Sequence, residues 1–196
     1  MDKLIVHPSV TSTWHSLVTQ ACQVRSITLS EDIESYLVYL LMRFSRSPDL
    51  LSKIIATDYL QAAHLGRSAR AQQLREVGDS CLLYSGFFPG MARKRHVTLS
   101  YYVNIGRQAY NCISDQQVGS AKSAELYRTL GQEFVALMDL LLAIREMDGQ
   151  AWLDPLQALE GVDIGSQYSM KTLQQHTNSQ SNPALWPVYT ASKFKH

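Results

Sequence analysis

Apolar residues recur at three- and four-residue spacing along most of the chain up to Met147, the period of one buried face of an α-helix. Trp14, Leu17, Val18, Ala21 and Cys22 form one such stripe behind Thr11-Ser12-Thr13, a run that offers several N-caps, and they predict a first helix of about four turns. Thr28 and Glu31 match a capping box, in which the hydroxyl accepts from the third helical amide while the carboxylate reaches back to the cap. The stripe behind them, Ile33, Tyr36, Leu37, Leu40, Leu41 and Phe44, predicts a second helix. It should stop near Ser47-Pro48, since proline disfavours the helical conformation of the residue before it. Pro48 then suits the first turn of a third helix carrying Leu51, Ile54, Ile55 and Leu60.

From about Gly66 a fourth helix presents Leu74, Val77, Gly78, Cys81, Tyr84, Ser85 and Phe88 on one face, and Pro89-Gly90 ends it. Thr98 caps a fifth, with Tyr102, Val103, Gly106, Ala109, Tyr110 and Ile113 inward. After a polar turn at Asp115 to Gly119, Ser120 starts what reads as the longest helix, facing inward with Tyr127, Leu130, Phe134, Leu137, Met138, Leu141 and Ile144 until Asp148-Gly149. Unbroken, it would span roughly 40 Å. Shorter helices are expected around Asp154 to Leu159 and Ser166 to Gln174. No alternating strand pattern and no internal repeat interrupts the series. The fold expected is therefore an all-α, single-domain bundle of about six to eight helices over residues 1–175, with an extended C-terminal tail at 176–196.

Two features inside the fourth and fifth helices stand apart. Gly78 and Gly106 lie on packing faces, where glycine is less favourable than alanine by about 1 kcal/mol. A close contact should compensate, and with Ala109 one turn after Gly106 the pair reads as a tight central hairpin. Asp79 adjoins that buried edge, and Tyr84, Tyr101, Tyr102 and Tyr110 offer phenols that can donate to its carboxylate. A structural polar network is the favoured reading. A catalytic acid in a pocket is the other, although no histidine or second carboxylate accompanies Asp79 at helical spacing.

Composition narrows the class. With 196 residues, 45% of them apolar, the chain can bury a core of its own, and with 18% charged residues and a formal net charge of +1 it reads neither as disordered nor as globally basic. The total hides an asymmetry. From His64 to Arg107 the chain places Arg67, Arg70, Arg75, Arg93, Lys94, Arg95 and Arg107 against Glu76 and Asp79, a formal +5, while residues 108–162 carry three positive and eight negative groups. Arg93, Lys94, Arg95 and His96 lie where the chain turns toward the Thr98 helix start, and free amides there favour an anion. They form a candidate anion site, for a phosphate-bearing ligand or nucleic acid. The competing reading is a solvated turn that pairs with the acidic helix of the same or another subunit.

Cys22, Cys81 and Cys112 are widely spaced and odd in number, which argues against a disulfide framework or a CxxC metal site. The start, MDKLIVHPSV, carries no signal-like apolar run, and the run from Leu137 to Ile144 meets Arg145 and Glu146 at once, so a cytoplasmic protein without a membrane segment is expected. The six histidines include no HExxH or ExxH, and there is no GxGxxG, GxxxxGK[ST] or GxSxG. No metal, no cofactor and no catalytic residue is assigned. Near the C-terminus, Leu185-Trp186-Pro187-Val188-Tyr189 follows a polar linker, and Trp186 and Tyr189 read either as a tail packed on its own domain or as a peptide that docks on a partner.

The strings ESYLVYLL (Glu34 to Leu41), LREVGDSCLLYSGFFP (Leu74 to Pro89) and YYVNIGRQAY (Tyr101 to Tyr110) resemble those of an uncharacterised family of bacterial all-helical proteins that share YLxxLL, LxxxGDxxLxxxGFF and YYxxxGxxAY patterns. The resemblance covers about half the chain and implies a bacterial, soluble, helical protein; it brings no activity with it. Two function classes stay open on sequence grounds. One is a helical interaction or regulatory protein that self-associates or binds a protein partner. The other is a small-molecule or anion-binding bundle, or an enzyme, with a pocket near Asp79 and the tyrosines.

Overall fold

Ser9 opens the first helix: its side chain accepts the Ser12 amide, and α1 runs Val10–Arg25. In the computed structural model, residues 9–46, 54–116 and 120–147 are described. Among them the chain forms α2 (Glu31–Arg46), α3 (Ile55–Ala62), α4 (Arg67–Gly86), α5 (Gly90–Lys94), α6 (Leu99–Asp115), α7 (Ala121–Gln132) and α8 (Phe134–Met147), with no strand. The all-α bundle is what the periodicity predicts. The domain boundary at 175/176, the helices expected at 154–159 and 166–174, and the tail residues Trp186 and Tyr189 lie outside the described residues.

Several boundaries differ from expectation. The first cap is Ser9, ahead of the Thr11-Ser12-Thr13 run, and the second helix begins at Glu31 itself, so Thr28 and Glu31 do not form the capping box. At the end of α1, Ser26 takes the left-handed conformation at φ 54, and the Ile27 and Ser26 amides return to the Cys22 and Gln23 carbonyls, closing the helix without a glycine. The helix α3 starts at Ile55 after an extended Ile54, and the expected start at Pro48, with Leu51, lies outside the described residues; Ile55 and Ala62 are buried, while Ile54 and Leu60 face solvent.

The largest correction concerns the helix expected from Ser120 to Met147. It breaks at Glu133 into α7 and α8. The Gly131 carbonyl accepts from Arg107 Nε of α6 at 3.1 Å, a bond directed out of its own helix. Glycine holds the helical conformation weakly, so the turn gives way there while the apolar stripe continues through Phe134, Leu137, Leu141 and Ile144. The longest described helix is instead α4.

The bundle is organised around α4, which packs on α3, α6 and α8, while α1 lies against α2 and α8, and α7 against α6. From Val77 through Phe88 every residue of the α4 region is buried, not only one stripe. A helix enclosed on all sides needs its polar groups satisfied. Ser85 does so locally, donating to the Cys81 and Leu82 carbonyls at 2.8 and 3.1 Å. Asp79 does so through tertiary partners. At the far end of α4, the buried Arg145 of α8 donates to the Phe87 carbonyl, and at the other side of α8 the last-turn Arg25 of α1 pairs with Asp139 and Glu146 at 3.3 and 2.9 Å.

Candidate functional site

Asp79 is completely buried, and its two oxygens are held by different groups. The Tyr36 hydroxyl of α2 and the Tyr110 hydroxyl of α6 both donate to Oδ1, at 2.5 and 2.8 Å. Arg43 Nη2, two turns along α2 from Tyr36, donates to Oδ2 at 2.5 Å, and Arg75 Nε, one turn earlier on α4, stands 3.7 Å from the same oxygen. A buried carboxylate is stable only when paired and hydrogen-bonded, and these four groups supply both requirements. The Tyr127 ring of α7 completes the enclosure, 6.2 Å from the Tyr36 ring and 6.1 Å from that of Tyr110. Burial, reinforced by the neighbouring Asp79, pushes the Tyr36 and Tyr110 phenols well above their ordinary pKa. Burial also raises Tyr127, against the opposing pull of Arg75. All three phenols are therefore neutral at neutral pH, and Tyr36 and Tyr110 are the donors.

Of the tyrosines expected around Asp79, only Tyr110 hydrogen-bonds it; Tyr84, Tyr101 and Tyr102 belong to a second aromatic group, nearer the C-terminal end of α4. There the Tyr84 and Tyr102 rings stack at 5.0 Å, Tyr101 meets Tyr102 edge-on at 5.4 Å, and the Arg95 guanidinium lies 4.8 Å over Tyr84. Burial pushes Tyr84 up to about 12 although Arg95 opposes it. The reason is axial distance: Tyr84 lies five residues beyond Asp79, about 7.5 Å along the helix, and Tyr101 and Tyr102 sit at the opposite end of α6 from Tyr110.

The basic segment is not a plain turn. Arg93 and Lys94 close the short helix α5, Arg95 follows as its cap, and His96 takes a left-handed φ of 55. The His96 and Val97 amides return to the Arg93 and Ala92 carbonyls, so the segment ends a helix, and cations favour that end. Arg93, Lys94 and His96 are exposed, whereas Arg95 is drawn onto Tyr84. Thr98 caps α6 as expected and accepts the Tyr101 amide at 3.2 Å.

The glycines are occupied by rings. A Cβ on Gly78 would lie 2.5 Å from Tyr110 Cε1, and one on Gly106 would lie 2.5 Å from the Phe134 ring and 2.8 Å from Cys81 Cβ. Gly106 and the buried Ala109 do let α6 approach α4. Gly78 admits an aromatic side chain instead of a backbone.

Sequence reasoning passed over Tyr36, Arg43 and Tyr127 as partners of Asp79. The available signal was Arg43, a cation next to the apolar stripe of α2 and seven residues after Tyr36. Among the described residues, no group of three His, Cys, Asp or Glu side chains could hold a metal ion, and no helix is long and apolar enough to cross a membrane. Fold and site define an all-α bundle cross-linked through one buried carboxylate. No family model, curated protein or solved structure matches the chain.

Proposed function

We propose that this protein is a helical interaction or regulatory protein, and that a second copy of the chain is the partner it binds. The observation that supports the reading is the apolar surface around α3: Ile54 is 67% exposed, Leu60 67% and Leu65 41%, all within one short segment. Covering a large aliphatic side chain stabilises by roughly 1.5 to 3 kcal/mol, and association would recover that here. The enzyme reading has less support, because both oxygens of Asp79 already serve the fold. Binding of phosphate-bearing ligands or nucleic acid at Arg93, Lys94, Arg95 and His96 is set aside, since Arg95 is engaged by Tyr84. The proposal also places the protein in a bacterial cytoplasm, in keeping with free Cys22, Cys81 and Cys112.

Sedimentation equilibrium across a concentration series tests self-association. The parent should show a mass rising with concentration, and Ile54→Ser with Leu60→Ser should stay monomeric, with a melting temperature equal to the parent's at concentrations where the parent is also monomeric. A parent that remains monomeric throughout removes the second copy as the partner.

A further inference from the structure

The cluster around Asp79 carries more positive than negative charge, and its cations reach the surface. Arg43 and Arg75 stand 2.5 and 3.7 Å from the same carboxylate oxygen, yet their side chains keep 24% and 29% exposure. One buried carboxylate therefore faces two guanidinium groups. Tyr36, Tyr110 and Tyr127 add no negative charge, being neutral phenols. Nε of each arginine is itself buried and without a hydrogen-bond partner, so the contacts with Asp79 do not use the whole of either guanidinium group. Two like charges held together in this way leave a local excess of one positive charge, and an incoming anion relieves it.

The surroundings also shape the approach. The Arg75 guanidinium carbon lies 5.5 Å from the centre of the Tyr36 ring and 5.4 Å from that of Tyr39, so aromatic faces fix its plane. Tyr39 is 52% exposed, and with Tyr36 and Arg43 it follows the three- and four-residue spacing of one α2 face. A planar cation therefore stands beside an exposed aromatic ring. Guanidinium forks match carboxylates, and Arg43 gives Asp79 a single bond, through Nη2.

We propose that Arg43 and Arg75 form a binding site for the carboxylate of a small organic acid whose apolar body packs on Tyr39. A single negative charge balances the local excess, and the ring covers what the guanidinium groups do not hold. The site stands on the α2 and α4 faces and does not depend on association through α3.

Titration of the full chain with benzoate, using benzamide as the uncharged control at fixed ionic strength, tests this by the side-chain Nε–Hε resonances of Arg43 and Arg75. Benzoate should shift both saturably and benzamide should not. Tyr39→Ala, a change at an exposed position, should weaken benzoate by about twofold to fivefold while the fold is retained. Arg75→Gln, where its backbone spectrum shows a folded protein, should abolish saturation at Arg43. No saturable shift with benzoate, or an equal shift with benzamide, overturns the site. Inorganic phosphate saturating the same resonances at lower concentration overturns the carboxylate assignment.

Discussion

Tyr110 donates to Asp79 Oδ1 at 2.8 Å, and its ring occupies the space that a side chain on Gly78, one residue earlier, would need. The adjacent Gly78 and Asp79 thus act as one device: the glycine admits the ring, and the carboxylate accepts its hydroxyl. This accounts for a glycine within the buried stretch of α4, where its low helix propensity is otherwise unfavourable.

The relationship predicts non-additivity. Gly78→Ala should destabilise by about 2 kcal/mol through displacement of the Tyr110 ring. In a chain already carrying Tyr110→Leu the same change should have much less effect, giving a coupling of about 1 kcal/mol or more in denaturant melts. Additive values would mean that the ring does not set the Gly78 requirement.

Asp79→Asn should leave a folded but weaker protein. An amide keeps one acceptor for the phenols but removes the charge opposite Arg43, and breaking such a pair destabilises by about 3 kcal/mol. Guanidinium chloride unfolding at neutral pH measures it, and a loss under about 1 kcal/mol would contradict a structural role for this carboxylate.

Gly106→Leu should be more damaging than a surface change, since even a Cβ would meet Phe134 at 2.5 Å and Cys81 at 2.8 Å. Overpacking of this kind destabilises by roughly 1 to 3 kcal/mol. Gly66→Ala is the control: nothing lies within 4 Å of the added atom, so the change should stay under about 1 kcal/mol. Equal melting temperatures for parent and Gly106→Leu would refute close packing of α4 and α6.

Alkaline pH should weaken the fold through Tyr36 and Tyr110. Their folded pKa values are raised, first by burial and then by Asp79, while the unfolded phenols titrate near 10. Above about pH 10 the unfolded chain binds fewer protons than the native one, so stability falls as pH rises, by about 1.4 kcal/mol per pH unit for each phenol. The stabilising contribution is complete below that pH. Denaturation midpoints measured from about pH 9 to 11 should fall, and less steeply in Tyr36→Phe. Identical slopes in the two proteins would place the titration elsewhere.

Local chemistry was legible before tertiary structure. The stripes from Ile33 to Phe44 and from Tyr102 to Ile113 mark α2 and α6 because three- and four-residue spacing has one structural meaning, and Thr98 marks the start of α6 because its hydroxyl answers a free amide three residues on. The stripe through Phe134 and Ile144 was equally clear, but it could not reveal the break before Phe134. Two residues before that break, the Gly131 carbonyl accepts from Arg107 of α6, and periodicity within one helix carries no trace of a neighbour.

Asp79 shows the same division. The sequence by itself determined that a carboxylate sits on the packing edge of a helix with phenols in the chain to satisfy it, because burial leaves a charge no alternative to partners. Only the tertiary structure decided that those partners are Tyr36 and Arg43 of α2 together with Tyr110 of α6, and not Tyr84, Tyr101 or Tyr102. Partner choice depends on how far along each axis the helices are offset and how they are turned toward one another. Those quantities are set jointly by the packing of α2, α4, α6 and α7, and no single segment encodes them.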